Sequence, residues 1–258
     1  MPTISLAIQK GGSGKTTTAI NLAAALRQQG KRVLLVDMDP QSNLTQALGV
    51  LEEPEPSIYH LLHEEAEGKD PDLKRIIMET KSGLELIPAS LELANAEVEL
   101  VNVYGREQLF QELLNPLKQT YEYIFIDCPP SIAVLTVNAL MASDFILMPL
   151  QAEFLPLKGV RSFLRAIDPI RKKLNKNLKI LGIVLTKYDY RKIMHRNVLE
   201  TLQQEFDGKV FDTFIRTNIA LAQAQENGLD IFSYRKRSNG AEDYQALAAE
   251  FERRVANS

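Results

Sequence analysis

The segment that most constrains this chain is Gly11-Gly12-Ser13-Gly14-Lys15-Thr16, which follows the β-rich run Ile4–Ile8 and opens a helical pattern at Thr16. That strand, loop and helix order is the setting a phosphate loop requires. Glycines let backbone N–H groups approach a β-phosphate, the helix N-terminus adds its positive end, Lys15 reaches the β/γ oxygens, and the Thr16 hydroxyl can ligate Mg²⁺. Against the strict pattern G-x-x-x-x-G-K-T, the first glycine is replaced by Gln9 or Lys10. A glycine-rich turn capping an ordinary helix does not account for the Lys-Thr that closes the run.

The rest of the chain repeats the alternation. Ile4–Ile8, Val33–Asp37, Leu84–Pro88, Tyr123–Asp127, Phe145–Leu150, Lys179–Leu185 and Val210–Ile215 read as strands whose apolar runs are continuous, so both faces should be covered. This predicts an α/β fold: a mostly parallel, twisted sheet flanked by helices on both faces, as in P-loop NTPases. Ala19, Leu22, Ala23 and Leu26 share one helical face, as do Leu109, Leu113 and Leu117, and residues 241–255 read as a closing helix. The stretch Glu52–Gly83, with Pro54, Pro56, Gly68, Pro71 and Gly83, reads as an insertion with short helices inside one domain over residues 1–258. A composition of 45% hydrophobic and 24% charged residues excludes disorder, coiled coil and collagen. No run approaches the roughly 18–20 apolar residues of a membrane span, and Met1-Pro2-Thr3-Ile4 lacks a basic leader region, so a cytoplasmic protein is expected. With one cysteine, Cys128, and with His60, His63 and His195 off any metal-ligand spacing, the chemistry must come from oxygen and nitrogen groups.

Three further carboxylates, at the ends of two neighbouring strands, fit a phosphate site. Asp127 ends a buried strand, where it can hold Mg²⁺ through water; Asp37 and Asp39 end the neighbouring one, where a carboxylate can orient an attacking water. On spacing alone, Asp37 and Asp39 also suit a helix cap or a turn. Cys128 reads as a small buried residue after the strand.

Lys10-Gly11-Gly12-Ser13-Gly14-Lys15-Thr16-Thr17 matches the deviant Walker A motif K-G-G-x-G-K-[TS] throughout, and the chain resembles the ParA/MinD family of dimeric ATPases. Val36–Asn43 is similar to that family's second signature, and Tyr123–Ser131 to its Walker B and switch segment. Leu185–Asp189 and Tyr234–Ala241 resemble later segments of the Soj/ParA partitioning branch. The resemblance implies ATP and Mg²⁺ as ligands, residues Gly11 to Thr17 around the phosphates, Thr16 and Asp127 at the metal, Asp39 as the hydrolytic carboxylate and Asp37 close to the magnesium shell. It places adenine near Thr186, Lys187 and the Ile215–Asn218 turn. It also implies that Lys10 crosses to the other subunit's nucleotide, so that two subunits sandwich two ATP molecules and dimerise only when the γ-phosphate is present.

Charge is unevenly distributed. Between Glu52 and Glu112 there are about 15 acidic against 5 basic residues, whereas Lys158–Arg196 holds about 12 basic residues and only Asp168 and Asp189 as acids. The basic half is either a set of solvated helix faces or a surface for a polyanion, and Arg235-Lys236-Arg237 favours the second. By resemblance to the Soj branch, Arg191, Arg216, Arg235, Lys236 and Arg237 are candidate contacts for DNA of any sequence, although Thr217 and Ala220 stand where chromosomal members usually carry arginines. The chain starts at its first strand, without the helix-turn-helix extension of larger plasmid ParA proteins, and its polar finish with interspersed acids is unlike the membrane helix of MinD-like members. The expected function is therefore an ATP-driven cycle on the nucleoid that positions plasmid or chromosomal DNA through a ParB-like adaptor that stimulates hydrolysis. McdA-like positioning of carboxysomes through an McdB-like adaptor is the alternative; a metabolic P-loop enzyme is the rival from another class.

Overall fold

The computed structural model describes residues 2–152 and 156–258. Seven strands form its sheet: β1 (Thr3–Leu6), β2 (Val33–Asp37), β3 (Met78–Glu79), β4 (Glu85–Ile87), β5 (Tyr123–Asp127), β6 (Phe145–Gln151) and β7 (Lys179–Thr186). Their order is β3-β4-β2-β5-β1-β6-β7, parallel throughout except for the β3/β4 pair. The helices up to the sheet's centre are α1 (Lys15–Gln28), α2 (Asn43–Ala47), α3 (Ile58–Ala66), α4 (Leu93–Glu99), α5 (Leu109–Leu114) and α6 (Val134–Ala142). They are followed by α7 (Pro156–Pro169), α8 (Ile193–Glu205), α9 (Ile219–Glu226), α10 (Ile231–Arg235) and α11 (Asn239–Ala256).

Continuous apolar strands are explained by the two cores they serve. In β5, Ile124 and Ile126 face a core with Phe110, Leu140 and Phe163, while Phe125 between them faces a second core with Leu22, Leu26 and Phe251. Alternate side chains point to opposite faces, so a strand covered on both sides must be apolar at every position. Helices α1 and α11 cover one face; α5, α6 and α7 contribute to the other. Each fully buried side chain of this kind contributes about 1.5–3 kcal/mol. Register then places the chemistry: Leu6 and Asp37 both pair with Asp127, so the carboxyl ends of β1, β2 and β5 converge where the phosphate loop begins.

The elements depart from the sequence expectation in several places. Val210–Ile215 is not a strand; only an isolated parallel bridge joins Val210 to Ile183. The amides of Phe211 and Ile215 donate to the Ile183 and Leu185 carbonyls of β7, at 2.8 Å each, but those of Asp212 and Thr213 between them go to the Glu250 carboxylate of α11, at 2.9 and 2.8 Å, which interrupts the pairing along the β7 edge. In the basic half, α7 ends at Pro169 and the chain continues only as a wider turn, Ile170–Leu174, before β7. The two-residue strand β3 is too short to leave a pattern in sequence. Leu109, Leu113 and Leu117 are all buried as expected, although α5 stops at Leu114 and a tighter 3₁₀ turn with Pro116 carries Leu117.

Close approach at the β7 edge gives a stability prediction. A Cβ on Gly182 would lie 2.4 Å from the Lys209 carbonyl oxygen and 2.7 Å from the Phe211 ring. Gly182→Ala is expected to lower stability by about 1–3 kcal/mol, the usual cost of forcing an extra carbon into a packed site, read as a lower midpoint in thermal unfolding. An unchanged midpoint would contradict that packing. Among the described residues, no helix is long and apolar enough to cross a membrane.

Candidate nucleotide site

Gly12 and Gly14 adopt φ of 69° and 94°, left-handed values that favour glycine, and a Cβ on Gly14 would press on Thr186 Cγ2 at 3.3 Å. The loop's carbonyls are tied to the ends of two strands. Gln151 Nε2 donates to the Gly12 carbonyl, and Thr186 Oγ1 donates to the Ser13 carbonyl at 2.8 Å. No side chain caps the N-terminus of α1. Its orphan first-turn amides and the positive end of the helix are therefore available to an anion. Lys15, nearly buried, folds back over the loop with Nζ 3.4 Å from the Lys10 carbonyl.

Beside the loop, Thr16 Oγ1 donates to Asp127 Oδ2 at 2.6 Å, while Asp127 Oδ1 is buried with no partner. Burial, then the neighbouring Asp37 carboxylate, push the Asp127 carboxyl up to about 8, against the pull of Thr16 and Lys15. Asp37 is pushed up to about 6, again mainly by burial. Its oxygens are occupied: Oδ2 accepts from the Thr45 amide and hydroxyl at 2.9 and 2.7 Å, and Oδ1 from the Asp39 amide at 3.1 Å. Asp37 thus holds the turn from β2 into α2, the structural role that its spacing left open. Asp39 lies on the cavity wall, its Oδ1 accepting from the Gln41 amide at 3.0 Å.

These groups border one cavity of about 720 Å³. It runs from the loop residues Gly11–Thr17 past Asp39 and Pro130 to Thr186, Lys187 and residues 215–219, so every phosphate, adenine and hydrolytic candidate except Lys10, Asp37 and Asp127 lines it. Thr186 reaches the loop itself, and Asn218 Oδ1 caps α9 by accepting from the Ala220 amide at 2.9 Å. Gln151 and Gln225, which also shape the site, carried no signal in sequence, since each acts through a tertiary bond or position rather than a motif; Gln41 lies within the Val36–Asn43 signature. The Cys128 thiol is fully buried and pushed up to about 12 by that burial, as befits a packing residue.

A magnesium ion fits the donors on chemical grounds: the orphaned Asp127 Oδ1 and the Thr16 hydroxyl are hard oxygen ligands at a phosphate loop. Among the described residues, no cluster of three His, Cys, Asp or Glu side chains could hold a metal unaided. Phosphate oxygens and water would have to complete the shell, as is usual for this ion.

The five arginine and lysine candidates are not equivalent. Arg191 forms a two-pronged contact with Asp189 at 2.9 and 3.0 Å. Arg216 is committed to Asp243, at 2.7 Å, and Glu242, at 3.1 Å. Arg235, Lys236 and Arg237 are exposed and have no carboxylate partner among the described residues.

The fold and the loop define a P-loop nucleotide-binding protein. A family model described as an AAA domain matches residues 1–180. The sporulation initiation inhibitor protein Soj of Bacillus subtilis is 43% identical over 248 residues, covering 96% of each chain. A structure of cobyrinic acid a,c-diamide synthase from Mycobacterium smegmatis with bound ADP and magnesium has a TM-score of 0.83 at 34% identity, covering 99% of this chain and 95% of that one. A structure of Cyanothece McdA with ATP has a TM-score of 0.82 at 25% identity, with coverage of 99% and 95%. The chain belongs to this AAA domain family, among its ParA/Soj-type partitioning ATPases.

Proposed function

We propose that this protein, as a single ParA-type domain, hydrolyses ATP to ADP and phosphate in a cycle that builds and dismantles a homodimer on DNA. The observation that carries this reading is the unpartnered Asp127 Oδ1 beside Thr16, in the crook of a loop whose amides are free for phosphate. Gly11 to Thr17 bind the phosphates through backbone amides, Lys15 neutralises the β/γ oxygens, and Thr16 and Asp127 hold Mg²⁺. When bound, that ion supplies charge neutralisation as the terminal P–O bond breaks. Asp39, one oxygen steadied by Gln41, orients the attacking water with the other. Thr186, Lys187 and Asn218 flank the base. Lys10 reaches the partner's nucleotide, so the dimer depends on the γ-phosphate.

Dimerisation sets two basic surfaces side by side, and the ATP form then binds duplex DNA of any sequence, in the cytoplasm on the nucleoid. A ParB-like adaptor stimulates turnover and ties the cycle to its cargo; an McdB-like adaptor would tie it to a protein cargo, a reading supported by the McdA likeness. Arg235, Lys236 and Arg237 are the strongest DNA candidates because their charge is not already spent, as it is at Arg191 and Arg216. If about four to six phosphates are neutralised, log K falls against log salt with a slope of roughly −4 to −5. Reversing all three charges should flatten that slope and leave basal ATP turnover intact. Absence of salt-sensitive DNA retention by the ATP-saturated protein at about 50 mM salt would overturn the nucleoid reading. The diamide synthase likeness favours one rival, a metabolic enzyme, which would instead show turnover that depends on a small substrate and ignores DNA.

A further inference from the structure

Helix α4 is apolar on both sides. Leu93, Ala96 and Leu100 fill the core, yet Leu91, Val98, Val101 and Tyr104 are 60%, 76%, 43% and 102% exposed. With exposed Ala94, positions 91, 94, 98 and 101 follow helical spacing along the outer face of α4 and its 3₁₀ extension Leu100–Asn102. Leu51, 84% exposed, joins this ridge across a hollow of about 160 Å³ that it shares with Leu91 and Ser42, whose buried Oγ has no partner. A ridge of this kind marks an interaction surface.

Its charges state the partner's chemistry. Glu52, Glu53, Glu92, Glu97 and Glu99 surround the ridge, and none has a lysine or arginine partner among the described residues. Three of the five meet uncharged groups, the Leu91 amide for Glu53, the Val134 and Leu135 amides for Glu97 and the Tyr59 hydroxyl for Glu99, and Glu92 lies 3.6 Å from the His60 ring. An apolar stripe edged by unneutralised carboxylates complements an apolar stripe edged by lysine or arginine. The same patch on a second copy would bring like charges together.

Two stems lead inward from the ridge. The Glu97 carboxylate accepts from the first two amides of α6, at 2.9 and 3.4 Å, and α6 follows the segment with Pro130, which lines the nucleotide cavity. Ser42, in the hollow, donates its amide to the Asp39 carbonyl at 2.8 Å. We propose that this ridge docks a basic amphipathic helix of a partner protein, and that Glu97 transmits docking to the phosphate end of the cavity. The transmission rests on the hydrolysis proposed above; the docking does not.

The probe is a fluorescein-labelled peptide of about 18 residues, long enough to form a helix, with leucine at i, i+3, i+4 and i+7 spacing and lysine elsewhere. Binding is measured by anisotropy on the nucleotide-free full chain. Val98→Asp with Val101→Asp should weaken it at least about tenfold, whereas Ile193→Asp, an exposed apolar change on α8 in the basic half, should not. In ATP turnover, the peptide should change the wild-type rate severalfold, while Glu97→Gln should bind the peptide and give no response. Equal peptide affinity in the Val98/Val101 variant and wild type overturns the docking surface. A fall in self-association by light scattering in that variant, with peptide binding unchanged, assigns the ridge to a second copy and overturns it too. A Glu97→Gln rate that still responds overturns the transmission. If wild type binds the peptide at the ridge but never hydrolyses ATP, the proposed function fails and the docking stands.

Discussion

Asp39→Ala protein is expected to bind ATP as tightly as wild type and to hydrolyse it about 10²–10⁴-fold more slowly, the range that a positioned acid or base contributes. Asp39 lies on the cavity wall but outside the phosphate loop, and its backbone carbonyl, which the substitution keeps, accepts the Ser42 amide. Loss of the side chain removes only the Gln41 contact and the oxygen proposed to orient the water. Lys15→Ala should behave in the opposite way and lose nucleotide binding, because its charge acts on the phosphates directly. Single-turnover hydrolysis in Asp39→Ala near the wild-type rate would remove that residue from the mechanism.

Asp127→Asn is expected to make the nucleotide-free protein more stable and the enzyme nearly inactive. An acid whose folded pKa, about 8 here, lies above its unfolded value binds protons more tightly in the folded chain. Stability therefore falls as pH rises from about 4, the unfolded aspartate value, to about 8, and an asparagine that never ionises escapes the loss. At pH 8 the gain should be on the order of 2–5 kcal/mol, read as a midpoint at least about 5 °C higher in thermal unfolding. The gain should vanish toward pH 4. Asparagine still accepts the Thr16 bond but supplies no carboxylate to the metal, so Mg²⁺-dependent hydrolysis should fall at least about a hundredfold. Equal midpoints of variant and wild type at pH 8 would show that Asp127 carries no buried charge there. The site is in this respect strained for its ligand: two carboxylates, Asp37 and Asp127, are register partners and both are buried.

Legibility in sequence followed the range of the interactions. The phosphate loop could be read because its glycines, lysine and threonine are adjacent, and β2, β5, β6 and β7 because burial on both faces leaves unbroken apolar runs. What escaped notice depends on distant partners. Val210–Ile215 has a strand's composition, but a carboxylate from Glu250 takes the two amides in its middle, those of Asp212 and Thr213. Arg216 looked like a free cation until the fold brought Asp243 against it, 27 residues away. Gln151 at the end of β6 anchors the Gly12 carbonyl across 139 residues, a contact without local pattern. Conversely, Asp37 and Asp39 looked alike on spacing, and only burial and bonding separate a turn anchor from a cavity wall.

The measurement that bears most directly on the proposed cycle is the mass in solution, by light scattering, of the same protein without nucleotide, with ADP and Mg²⁺, and with ATP and Mg²⁺. Lys10 lies at the start of the loop, where its backbone carbonyl, not its ammonium, meets Lys15. The mass should double with ATP alone, and Lys10→Ala should weaken that doubling while ATP binding persists. One unchanged mass in all three states would contradict an ATP-built dimer, and with it the switch on which the proposed function depends.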